Sequence, residues 1–214
     1  WVGEGADVVI AGFVIEAGPA KQVLVRAVGP ELVRYGVPRT VQRPELQIVD
    51  AYGQVVASNE GWSPVLEDAF GTVGAFGLQL GSDDAALVAE LEPGAYTAIA
   101  RTGQPNGYGN GLIEVYDLEG SARLRNLSTR ARIEANTTIV IGGLVIASEG
   151  GGRRVLLRAV GPSLIGLDPA DRLADPVFSL VRQSDGVELA GNDDWGSGGG
   201  EAALIEAFNA AGAF

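Results

Sequence analysis

Val23-Leu24-Val25-Arg26-Ala27-Val28-Gly29-Pro30 and Val155-Leu156-Leu157-Arg158-Ala159-Val160-Gly161-Pro162 are one phrase written twice, 132 positions apart. Repetition at a domain-sized period sets the organisation of a chain before any local reading. The match spreads outward from this phrase. Upstream, Ile10-Ala11-Gly12-Phe13-Val14-Ile15 corresponds to Ile141-Gly142-Gly143-Leu144-Val145-Ile146. Downstream, Arg43-Pro44-Glu45-Leu46 corresponds to Asp175-Pro176-Val177-Phe178, and Ser58-Asn59-Glu60-Gly61-Trp62 to Gly191-Asn192-Asp193-Asp194-Trp195. Gly74-Ala75-Phe76 returns as Gly212-Ala213-Phe214. The offset drifts from 131 to 138 through short insertions at glycine-rich or polar points, where loops accept them.

The repeating unit is therefore about 131 residues, an ordinary domain size. Residues 1–131 form a complete copy. Residues 132–214 form a partial second copy, with counterparts of residues 1–76 and none of 77–130. A partial copy would expose the edges of core strands, so the expectation is that the remainder is either disordered or supplied by another chain. The sequence opens at Trp1 inside strand-like residues and contains no Met, which reads as a processed product or a piece of something longer.

Composition narrows the chemistry. The 214 residues carry 27 acidic against 15 basic side chains, a net charge of −12, which opposes binding to nucleic acid. Apolar runs such as Ile139 to Ala147 are far shorter than the roughly 20 residues that span a bilayer as a helix. There is no Cys, so thiol chemistry and disulfides are excluded, and no His, the commonest general base and transition-metal ligand.

The unit reads as mainly β. Val8–Ile15, Gln22–Val28, Leu46–Val49, Ala85–Leu91, Ala95–Ala100 and Leu112–Tyr116 are short runs rich in Val, Ile, Leu and Ala, separated by Gly, Pro, Asn and Asp. Tyr96, Ala98 and Ala100 share one face of their strand, and Ile113 and Val115 alternate with Leu112, Glu114 and Tyr116. Many short strands at regular spacing predict an antiparallel, jelly-roll-like β-sandwich. Short helices interrupt it. Pro64–Phe70 follows Ser63 as a candidate N-cap, Glu201–Ala211 spaces Ala202, Ile205, Ala207 and Phe208 along one face, and Pro30–Tyr35 reads as a further turn. These helices are expected to cap one end of the sandwich.

The run Pro44-Glu45-Leu46-Gln47-Ile48-Val49-Asp50-Ala51-Tyr52-Gly53-Gln54-Val55-Val56-Ala57-Ser58-Asn59-Glu60 resembles the bacterial pre-peptidase C-terminal domain. Leu91-Glu92-Pro93-Gly94-Ala95-Tyr96-Thr97-Ala98 and Gly111-Leu112-Ile113-Glu114-Val115-Tyr116 continue the likeness. That family's pattern runs D-P-x-L-x-L-x-D-x-x-G-x-x-x-A-x-N-D-D and then L-x-P-G-x-Y. Asp175-Pro176 and Asn192-Asp193-Asp194 of the second copy fit it more closely still. The resemblance implies a β-sandwich of secreted bacterial proteins, often a non-catalytic module beside a peptidase. Arg26-Ala27-Val28-Gly29-Pro30 and Asn126-Leu127-Ser128-Thr129-Arg130 are similar to a longer unit found in tandem in large secreted bacterial proteins, with N-L-S-T-R at the junction.

Several residues invite a chemical role. Asp50, Asn59 and Glu60, and in the second copy Asn192, Asp193 and Asp194, offer the oxygen ligands that calcium takes. No complete calcium-loop spacing accompanies them, and the plainer reading is a solvated turn with Asx hydrogen bonds. Structural calcium is thus the one cofactor these residues suggest, and no catalytic or cofactor-binding residue is assigned. Ser82-Asp83-Asp84 receives the same solvated reading. Arg26 and Arg158, inside apolar strands, either point outward or pair with a buried acid, and a structural pair is preferred to a substrate contact. Trp62 and Trp195 either stack on sugar rings or pack over the sandwich edge, and packing is preferred. Asn126-Leu127-Ser128 and Asn136-Thr137-Thr138 match the glycosylation sequon, incidental in a bacterial protein. Gly107-Tyr108-Gly109-Asn110-Gly111 reads as a flexible hairpin turn rather than a dinucleotide loop.

The expected function is a non-enzymatic structural or adhesive repeat of an extracellular, cell-surface bacterial protein or fibre. Its partners would be other copies of itself, joined by strand or half-domain complementation. The alternative is a polysaccharide- or protein-binding accessory module of a secreted enzyme. A carboxylate-based hydrolase is a third reading, which needs two facing acids in a cleft.

Overall fold

Val9, Ala11, Phe13 and Ile15 are buried while the residues between them are half-exposed, so β1 (Val9–Ile15) presents one apolar face. In the computed structural model, which describes residues 1–119, 124–132, 139–145, 154–164, 168, 172–196 and 200–211, seven further strands follow in the first of two compact units, Trp1–Gly142. They are β2 (Lys21–Val28), β3 (Pro44–Asp50), β4 (Val55–Asn59), β5 (Ala85–Leu91), β6 (Gly94–Thr102), β7 (Leu112–Glu119) and β8 (Leu124–Arg130), with α1 (Glu67–Val73) between β4 and β5. A five-stranded sheet runs β4-β3-β6-β1-β8 and a three-stranded sheet β5-β2-β7, all antiparallel. The sheets face each other across a core of Val9, Phe13 and Ile15, Val23, Val25 and Ala27, Leu46 and Ile48, Leu87, Ala98 and Ala100. This is the antiparallel, sandwich-like, mainly β fold that the alternating runs predict.

Strand β2 is covered on both sides. Val23, Val25 and Ala27 enter the sandwich core, while Leu24 and Val28 enter a second cluster with Leu32, Phe70, Leu78 and Ala86. The helical segments therefore lie over the outer face of the three-stranded sheet, not over an end of the sandwich. The reason is in β2 itself: from Val23 to Val28 both alternating sets of side chains are apolar apart from Arg26, so both faces need cover, as in central strands. The 3₁₀ turn Pro30–Tyr35, a second one at Pro64–Leu66 and α1 supply it. Ser63 accepts a hydrogen bond from the Val65 amide and caps the second turn, as its position predicts.

Pairing is nested: β1 with β8, β2 with β7, β3 with β6. Strand β8 is an addition to the sequence reading: the Asn126–Arg130 stretch at the end of the first copy is part of an edge strand, with Phe13 opposite Leu127. It closes the otherwise open side of β1. The sequon at Asn126 lies on this edge, and the one at Asn136 lies outside the described residues.

The second unit spans Gly143–Phe214. There β9 (Phe178–Val181) and β10 (Glu188–Asn192) form an antiparallel hairpin, followed by α2 (Glu201–Ala211), the helix that the apolar spacing predicts. Among the described residues, 139–145 and 154–160 join no ladder. These are the counterparts of β1 and β2. Topology accounts for this: in the first copy β1 and β2 pair only with β5 to β8, all within residues 77–130. The pair β3–β4 alone has both members within residues 1–76, and its counterpart β9–β10 is the ladder that forms.

Local geometry recurs even so. A Cβ on Gly29 would stand 2.1 Å from the Val41 carbonyl oxygen, and one on Gly161 would stand 2.0 Å from that of Leu173. Gly53 and Gly186 both take left-handed φ, 79° and 71°, at the matching hairpin turns.

Candidate functional site

Arg26 is the largest fully buried side chain among the described residues. Its place on the helix-covered face of β2 leaves it no route to solvent, so its charge must be met inside. Nε donates to Glu114 Oε2 at 2.9 Å and Nη1 to the Phe76 carbonyl at 2.6 Å. Nη2 lies 2.8 Å from the same Glu114 oxygen, an ion-pair contact without hydrogen-bond direction. The guanidinium also lies over the rings of Phe70 and Phe76, 4.9 and 4.3 Å from their centroids. The Tyr116 hydroxyl donates to Glu114 Oε1 at 2.6 Å. Burial raises the Tyr116 pKa well above its ordinary value, and the bond to Glu114 and that carboxylate's charge add to the rise, against a lowering by Arg26. A structural pair, one of the two readings of this arginine, is what the fold contains. Arg158 stands 4.9 Å over the Phe208 ring, the same distance as Arg26 from Phe70.

Other buried charges are likewise engaged in the fold. Lys21 Nζ is 2.6 Å from Asp117 Oδ1. Asp84, grouped above with solvated turns, is fully buried, and this corrects that reading. Its Oδ1 accepts from the Gly29 amide at 2.7 Å, and Oδ2 from the Glu31 amide at 3.2 Å. The carboxylate thus anchors the Gly29-Pro30-Glu31 corner. Glu31 in turn accepts from the Gln79 amide and pairs with Arg34.

The calcium candidates do not converge. Asp50 Oδ1 accepts from the amides of Tyr52 and Gln54, closing the β3–β4 turn. Asn59 lies at the far end of β4, roughly 13 Å away by strand rise. Its amide donates to the Ala86 carbonyl and its oxygen accepts from the Glu60 amide, tying β4 to β5. Asn192 ends β10 opposite Phe178, and Asp193 and Asp194 follow it, exposed. An open depression beside this hairpin brings Glu188 and Asp193 together with Asn192. No group of three or more acidic residues is placed to hold a metal ion among the described residues. Trp62 is half-buried, 5.9 Å from Phe70, and donates to Ser82 Oγ, so it packs. Trp195 makes the matching contact with Phe208 at 6.0 Å but remains half-exposed.

A second constellation went unread in the sequence. The segment Gly107–Gly111 is pinned on both sides, contrary to its reading as a flexible turn. The Val2 amide donates to the Gly109 carbonyl, the Val41 amide to that of Asn110, and the Asn110 amide to that of Arg39. A Cβ on Gly109 would stand 2.3 Å from the Val41 nitrogen, so glycine here permits backbone contact. Tyr108 projects from this segment, exposed, 5.4 Å from the Trp1 ring. The Arg39 guanidinium lies 5.1 Å from the Trp1 centroid. Arg39, Arg43 and Asn106 take left-handed φ of 49°, 47° and 57°, the only non-glycine residues among those described to do so.

Comparison with known protein families, curated proteins and solved structures finds no match.

Proposed function

We propose that this chain is a non-enzymatic structural and adhesive β-sandwich repeat of an extracellular bacterial protein, related to the pre-peptidase C-terminal domain. Its second copy accepts strands from a neighbouring copy of the unit. One observation carries this. Residues 139–145 and 154–160 repeat the sequences of β1 and β2 but join no ladder among the described residues, and Val145, Ile139 and Ile141 are largely exposed. Apolar strand sequence with unpaired backbone is a template for strand addition. Strands of the kind that β5 to β8 supply in the first copy would complete it. The buried charges support a scaffold role, since Lys21, Arg26, Glu31 and Asp84 all serve packing and corners. The net charge of −12 suits a solvated exterior and disfavours nucleic acid.

Light scattering of the 1–214 chain over a wide concentration range tests the reading, together with hydrogen exchange. Self-association with slowed exchange at 139–145 and 154–160 is the expected result. A monomer at every concentration with those amides unprotected would refute strand acceptance between chains. A second reading, an accessory module that binds polysaccharide, draws on the exposed Tyr108 beside Trp1.

A further inference from the structure

We infer that the loop end of the first unit binds an acidic sugar, a uronic-acid-bearing polysaccharide. Tyr108 is the platform for the sugar ring, and Arg39 and Arg43 are the carboxylate ligands. This rests on the accessory-binding reading and is independent of strand acceptance.

Arg39 and Arg43, like Arg130 and Arg154, stand outside the ion pairs of the described residues, and of these four only Arg39 and Arg43 lie in the loops around Tyr108. In a chain with 27 acids, Arg26, Arg34, Arg101, Arg132 and Arg182 each sit beside an acid. Arg39 and Arg43 are exposed and make no ion pair among the described residues. Their backbone is also costly. A left-handed φ penalises a side chain with a Cβ, and such strain persists where surrounding structure enforces it, often at binding sites. Here the Asn110 amide holds the Arg39 carbonyl at 2.7 Å, and the Gly103 amide holds that of Arg43 at 2.8 Å. Asn106, the third such residue, lies in the same pair of loops.

The neighbouring chemistry fits a sugar acid. A ring face meets the C–H face of a pyranose, and Tyr108 offers one at 70% exposure. Stacking on Trp1 orients the Arg39 guanidinium while its N–H edge stays available for a bidentate carboxylate. The exposed amides of Gln104 and Asn106 can serve hydroxyl groups. The second copy provides an internal contrast: Asp171 and Asp175 stand at the positions of Arg39 and Arg43, 132 residues on.

The test is titration of the 1–214 chain with an oligogalacturonate and with its fully methyl-esterified form, followed by tryptophan fluorescence and amide NMR shifts. The acid is expected to bind about tenfold tighter than the ester, as loss of a charge-assisted bidentate contact implies. Arg39→Gln with Arg43→Gln should remove that preference. Arg39→Gly relaxes the left-handed backbone, so it should keep or raise the melting temperature while weakening binding. Tyr108→Ala should weaken both probes. Equal binding of the two probes overturns the acidic-ligand inference and leaves a neutral binding module. No binding of either at millimolar concentration overturns both. Salt-sensitive self-association abolished by the arginine substitutions, without uronate binding, would assign these arginines to contacts between copies and overturn the inference too.

Discussion

Val23–Pro30 and Val155–Pro162 differ in one residue and in almost everything structural. The first is a central strand with ladders on both sides, and the second joins no ladder among the described residues. Val23 is 0% exposed and Val155 46%. Phe13 is 1% exposed and its counterpart Leu144 45%. Identical propensity thus yields opposite states. A strand is a relation between segments, and β2 exists because β5 and β7 arrive to flank it. What survives in the second copy is what needs no distant partner: a hairpin, a helix, a tight glycine approach and a stacked arginine.

That contrast can be broken most sharply at the repeated arginine. Arg26→Ala leaves Glu114 buried without its partner and a gap against Phe70 and Phe76, at a cost of about 3–5 kcal/mol by denaturant unfolding. Arg158→Ala should cost less than about 1 kcal/mol. Equal costs would mean that the second copy is completed in solution. Next come the glycines. Gly29→Ala and Gly161→Ala both drive a Cβ against a carbonyl, and each should cost about 1–3 kcal/mol within its own unit. A silent Gly161→Ala, read by amide exchange, would show that the second copy does not hold the shared corner.

Alkali gives a weaker handle. Tyr116 has its pKa raised in the folded state, so its stabilising effect is present below the unfolded value of about 10 and is lost as pH rises past it. The first unit should lose stability progressively above that pH, and Tyr116→Phe should flatten the profile. Smallest are the hairpin turns. Asp50→Ala and Asp185→Ala each remove turn bonds at exposed positions and should lower the melting temperature least of these substitutions. Similar values in both copies would mark the hairpin as the autonomous part of the unit.

Legibility in the sequence followed the same division. Ala85–Leu91 and Glu201–Ala211 are found within their own residues, because apolar spacing and turn signals are local. The partner of Arg26 was foreseeable in kind, since a charge in an apolar run needs an acid, but not as Glu114, which lies 88 residues away. Asp84 looked like a turn residue because its company, Ser82 and Asp83, is polar; its acceptors' partners lie at Gly29 and Glu31. Strand β8 was hidden by its polar side chains, as edge strands are. Asp50 and Asn59 stay apart because one closes the β3–β4 turn and the other ends β4, a separation that adjacency in a motif does not reveal. Arg39 and Arg43 carried no signal, since left-handed backbone at arginine is fixed by contacts from the Gly103–Asn110 loop.

The nested pairing of β1 with β8 has a mechanical consequence. Ile10 lies opposite Arg130, so the chain enters and leaves the sandwich side by side at one end of these two strands. Tension applied through both ends would first break the Val2–Gly109 bridge and then peel β8 from β1 one rung at a time, rather than shear all the rungs at once. An array of such units would yield at low force by unzipping its edge strands, and would act as an extensible tether instead of a stiff rod.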